Sequence, residues 1–67
     1  MENSRTAEKM ALSVSETAEI LGISRPTVYQ LMRRTDFPAF RVGARWLVSR
    51  DGLARWVADQ AGREVLV

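Results

Sequence analysis

The chain has 67 residues, 46% of them hydrophobic, and its ten Lys and Arg against eight Asp and Glu give a formal charge of +2. That length suits one domain, whose small core supplies about 3–5 kcal/mol unless staples add to it. It has no cysteine and no histidine, and no apolar run exceeds three residues once glycine is set aside; this excludes disulfides, thiolate or imidazole metal sites, the commonest general base, membrane spans and a signal peptide.

Residues 1–11 are expected to be a disordered arm, because MENSRTAEKM is polar and lacks an apolar period. Residues 12–60 are expected to be the folded domain. Its first helix opens at Ser13, where Ser13-Val14-Ser15-Glu16 reads as a capping box: the hydroxyl takes an amide hydrogen and Glu16 reaches back. Leu12 precedes it as a hydrophobic staple. Val14, Ala18 and Leu21 form the buried stripe, with Ala18 small enough for another helix to come close. Gly22 supplies a left-handed stop and Ile23 the apolar contact after it. Ser24 begins a second helix at once, with Pro26 tolerated in its first turn. Val28, Leu31 and Met32 face inward, and Arg25, Thr27, Tyr29, Gln30, Arg33 and Arg34 face outward. Two helices joined by a short glycine turn are the signature of a helix-turn-helix.

Phe37-Pro38 closes the helical region, and residues 39–48 (AFRVGARWLV) read as a hairpin. A three-residue turn over Gly43-Ala44-Arg45 pairs Val42 with Trp46 and Phe40 with Val48. It gathers four apolar residues on one face, whereas a two-residue turn divides them; the three-residue turn is therefore expected. A third helix starts at Ser49, carries Asp51 in its first turn, buries Leu53, Trp56 and Val57, and stops near Gly62. Residues 61–67 are expected to be a frayed tail or an interaction tail. The fold class is thus α+β and mostly helical: a small winged helix-turn-helix of three helices with a two-stranded hairpin wing.

Charge is unevenly placed. Residues 1–23 carry −2, residues 51–67 carry −1, and residues 24–50 carry six arginines against Asp36, or +5. Arginine's planar fork matches phosphate and guanine better than a lysine does. The candidate DNA-binding residues are Ser24, Arg25, Pro26, Thr27, Tyr29, Gln30, Arg33 and Arg34 on the second helix, with Arg41 and Arg45 on the wing. Arg25 suits guanine, Gln30 adenine and Thr27 a thymine methyl, while Arg34 suits the backbone. The wing arginines suit a phosphate or the minor groove. The plainer alternative, a solvated surface helix, does not explain why the cations cluster on one helix while the first helix exposes Glu16 and Glu19. Trp46 and Trp56 are assigned to the core by their apolar neighbours. A lone tyrosine without histidine makes no nucleophilic site, each of Ser13, Ser24 and Ser49 fits a cap, and no cofactor site is expected.

The run Leu12-Ser13-Val14-Ser15-Glu16 through Leu21-Gly22-Ile23-Ser24-Arg25-Pro26-Thr27-Val28-Tyr29 resembles the excisionase-type, MerR-like helix-turn-helix family. Phe37-Pro38-Ala39-Phe40-Arg41-Val42-Gly43, Arg45-Trp46 and Leu53-Ala54-Arg55-Trp56 continue the resemblance over residues 12–58. It implies a second helix in the major groove of double-stranded DNA and a hairpin wing beside it. It also implies an accessory factor for recombination that works with an integrase or with another copy of itself, or a small transcriptional regulator; an antitoxin-type repressor would combine regulation with protein interaction. The short apolar runs and the absence of cysteine suit a cytoplasmic protein. A protein-interaction module is the alternative from another class. Thr35 stands where many relatives have glycine, leaving Asp36 for a left-handed helix end, and Leu47 stands where many are basic.

Overall fold

The computed structural model describes residues 9–67. Of the expected N-terminal arm, residues 1–8 lie outside the described residues. The elements in chain order are β1 (Ala11–Leu12), α1 (Val14–Leu21), α2 (Arg25–Leu31), β2 (Ala39–Val42), β3 (Arg45–Ser49) and α3 (Arg50–Gln60). Among the described residues, three helices and a three-stranded antiparallel sheet of order β1-β3-β2 make a winged helix-turn-helix.

The helix caps are those that local chemistry dictates. Ser13 Oγ accepts the Glu16 amide at 3.1 Å, and Glu16 Oε1 accepts the Ser13 amide at 2.8 Å. Lys9 donates to the other Glu16 oxygen at 2.8 Å. That bond first, and the Ser13 amide second, hold the Glu16 carboxyl below its usual range. Gly22 ends α1 at φ 71°, where a side chain would be strained. Ser24 caps α2 and Ser49 caps α3.

The end of α2 differs from expectation. Neither Thr35 nor Asp36 adopts positive φ. The helix stops at Leu31 and tightens instead, with Arg33 N–H donating to Gln30 O and Arg34 N–H to Leu31 O. These i to i+3 bonds satisfy the last carbonyls without a left-handed residue.

The wing register also differs. Val42 pairs with Arg45, Arg41 with Trp46, Phe40 with Leu47 and Ala39 with Val48. The turn is therefore the two-residue Gly43-Ala44, with Gly43 at φ 60°. A three-residue turn would have needed a non-glycine in the left-handed region, at about 1–2 kcal/mol. The base of the hairpin is pinned as well, because Ser49 N–H donates to Pro38 O at 2.9 Å. Apolar residues are divided as a result: Phe40, Val42 and Trp46 are exposed, whereas Val48 is fully buried.

Strand β1 was not expected. Ala11 pairs with Ser49 and Leu12 with Val48, and Arg50 N–H donates to Met10 O at 2.9 Å. Leu12 thereby joins the core instead of serving only as a staple. That core is Leu12, Leu31, Phe37, Val48, Leu53 and Trp56, with Phe37 edge-on to Trp56 at 4.9 Å between centroids. Val57, expected inside, is exposed. Thr17 is fully buried beside Ala18 on α1 and satisfies its hydroxyl by donating to Ser13 O at 2.8 Å. Helix α3 ends at Gln60, and the tail beyond it packs Val65 against the core.

Candidate nucleic-acid interface

Helix α2 is held by its buried side. Val28 and Leu31 are its buried residues, and α1 packs against it. At about 100° per residue, Arg25, Tyr29, Pro26 and Gln30 then fall on one arc of roughly 140° opposite that side. Each is exposed, as is Arg33 just past the helix end. Pro26 fits because a first-turn amide has no partner to lose. The Ser24 hydroxyl caps the Thr27 amide at 3.4 Å and lies 2.9 Å from the Thr27 hydroxyl, so both groups serve the helix start.

The wing stands beside this helix. One open cleft is lined by Arg25 and Tyr29 of α2, by Ala44, Arg45 and Trp46 of the wing, and by Ser13–Ser15 at the start of α1. A second is lined by Tyr29, Met32, Arg33 and Trp46. Helix and wing thus present Arg25, Arg33 and Arg45 around a shared aromatic pair. None of these three arginine side chains has a hydrogen bond or ion pair to another described residue. Cations without partners on an exposed face keep their full field for an anionic ligand. Across the wing, Arg41 donates from Nε to Gly43 O at 3.1 Å and lies over the Trp46 ring, 5.8 Å from its centroid.

A family model described as a helix-turn-helix domain matches residues 11–61. The chain belongs to that family. None of the curated proteins and none of the solved structures matches it. The match begins at Ala11, so it includes β1 as well as the helices and the wing.

As a DNA-binding helix-turn-helix domain, the chain carries most of its expected contact residues together. Two sit differently. Arg34 is engaged within the molecule: Nε and one terminal nitrogen donate to the two Asp36 oxygens at 2.9 and 3.0 Å, and the other donates to Leu66 O at 3.0 Å. Its fork holds Asp36 and the tail, where the sequence suggested a contact with the DNA backbone. Thr27 is half-buried and lines an apolar groove with Leu21, Ile23, Leu31, Trp56 and Val65, at the border of the exposed arc. Asp36 is tied further by Trp56 Nε1, which donates to it at 3.1 Å. The Arg34 hydrogen bonds, above all, hold the Asp36 carboxyl below the usual range, while Asp36 raises Arg34.

Trp46 is the residue that sequence reasoning missed. Assigned to the core, it is 45% exposed and sits at the cleft next to Tyr29, itself 54% exposed. The signal lay in the turn: a two-residue loop puts Trp46 opposite Arg41, near the free end of the ribbon and away from the core. Among the described residues no cluster of three or more acidic side chains could hold a metal ion, and no helix is long and apolar enough to cross a membrane.

Proposed function

We propose that this helix-turn-helix domain is a sequence-specific double-stranded DNA-binding protein and acts as an excisionase-like accessory factor in site-specific recombination of a mobile element or prophage. The observation that carries the reading is a set of arginines, Arg25, Arg33 and Arg45, whose side chains have no partner among the described residues and which two elements display on one side. Helix α2 enters the major groove, where Arg25 and Arg33 reach guanine, Gln30 reaches adenine, and Ser24, Pro26, Thr27 and Tyr29 line the edge. Arg45 and Arg41 lie on a phosphate or in the adjacent minor groove. One small domain covers only part of a site, so an integrase or another copy would bind beside it. The outer wing face, with Phe40, Val42 and half-buried Leu47, offers apolar area for that neighbour. Work on chromosomal DNA would place the protein in the cytoplasm.

A small transcriptional regulator built on the same fold is the competing role, since a fold alone does not choose between them. Selection from random duplexes, followed by a circular-permutation bending assay, separates the two. The proposal expects an enriched motif that the protein bends on binding. An enriched motif bound without a bend supports the regulator, and no enrichment contradicts both. Within the motif, Arg33→Ala should cost about 1–3 kcal/mol and relax one base position, whereas Arg45→Ala should weaken all sequences alike. Equal losses with base preference unchanged would contradict that division.

A further inference from the structure

The duplex-binding reading leaves unexplained why a small domain exposes two large aromatics side by side. Tyr29 on α2 and Trp46 on β3 are the two residues common to both clefts between helix and wing. On one side of this pair lie Arg25 and Arg45, and on the other lies Arg33. The pair is therefore an apolar saddle dividing two cationic hollows. Arg41 backs the indole at 5.8 Å from its centroid, and its own bond to Gly43 O limits its freedom. The ring is thus held in place although nearly half its surface meets solvent.

A nucleic-acid strand has the complementary alternation of phosphate, sugar and phosphate. If α2 occupies a major groove and the wing the neighbouring minor groove, the strand separating the two must pass between helix and wing. We propose that Trp46, with Tyr29, is a non-ionic DNA contact: the saddle packs against a deoxyribose of that strand, Arg45 holds a flanking phosphate, and Arg25 and Arg33 pass beside the strand to the base edges. This rests on the duplex-binding reading and adds to it a residue that contributes affinity without releasing counterions. A tryptophan carries about 150–250 Å² of surface, so covering the exposed half removes roughly 100 Å² from water. At the usual apolar coefficient this supports a loss of about tenfold or more in Kd on truncation.

The test is a salt titration of duplex binding by the wild type, Trp46→Ala, Trp46→Phe and Arg45→Ala, with folding of each variant checked by circular dichroism. Trp46→Ala should lose about tenfold at every salt concentration with the slope of log K against log salt unchanged, and Trp46→Phe should keep most of the affinity. Arg45→Ala should lose affinity and flatten the slope by about 1. Acrylamide quenching of the wild type gives an independent readout that survives any folding defect. The accessible indole, Trp46, should become protected on binding duplex, while Trp56, buried in the core, stays poorly quenched throughout. A folded Trp46→Ala that binds as well as wild type, or one whose slope flattens like that of Arg45→Ala, overturns the contact. So does an indole quenched equally with and without DNA. Failure of the wild type to bind any duplex would instead overturn the underlying reading.

Discussion

Placing a methyl group on Gly52 tests how the root of the wing is built. Gly52 is the third residue of α3, and its amide donates to the Ser49 hydroxyl at 3.0 Å. A Cβ there would stand 2.7 Å from Pro38 Cβ and 3.0 Å from Ser49 Oγ. Carbon contacts settle at about 3.5–4.0 Å, so the overlap with proline is close to an ångström. Pro38 cannot swing aside as a long side chain would, because its ring is part of the backbone and its carbonyl receives the Ser49 amide at 2.9 Å. Such overpacking costs about 1–3 kcal/mol. Alanine's helix preference offsets less than about 1 kcal/mol of that in the first turn. Gly52→Ala should therefore destabilise by about 1–2 kcal/mol, which in a domain this small lowers Tm by about 5–15 °C. Urea and thermal unfolding followed by far-ultraviolet circular dichroism measure it. Ala58→Gly, at an exposed position of the same helix, isolates the propensity effect at about 1 kcal/mol. If Gly52→Ala raises the midpoint, propensity outweighs the contact and the reasoning fails.

The Asp36 carboxylate gives a pH prediction. Its folded-state pKa is lowered by the Arg34 hydrogen bonds, so its contribution is complete above the ordinary carboxylate value of about 4 and disappears as pH falls through the lower folded-state value. Asp36→Asn should unfold earlier than wild type at neutral pH, and the gap should close under acid; a gap that stays constant down to strong acid would contradict this. Gly43→Ala meets no atom within 4 Å of the new Cβ but must hold φ near 60°. Its cost is then backbone strain alone, about 1–2 kcal/mol in urea unfolding, and an unchanged midpoint would show that the turn relaxes freely.

What was legible in the sequence was local. The capping box at Ser13, the stop at Gly22 and the caps at Ser24 and Ser49 each rest on a few adjacent residues, and each is present. The outward arc of α2 followed from helical spacing in the same way. Errors arose wherever distant segments decide. Strand β1 spans only Ala11–Leu12 and forms because β3 offers it an edge, which no period in two residues can announce. The wing register was inferred by collecting apolar residues on one face, but Gly43 and the Pro38–Ser49 bond determine it, and Trp46 moved from core to surface with it. Arg34 reads as one more cation until the fold brings the Leu66 carbonyl to it from 32 residues away.

The most direct measurement is the salt dependence of binding to a selected duplex. With Arg41 and Arg45 as the phosphate contacts and Arg34 held by Asp36, log K should fall against log salt with a slope of about −2. The Arg41→Ala/Arg45→Ala double variant should bring it close to zero. A slope near zero for the wild type, or one untouched by the double variant, would mean that this face does not lie against DNA.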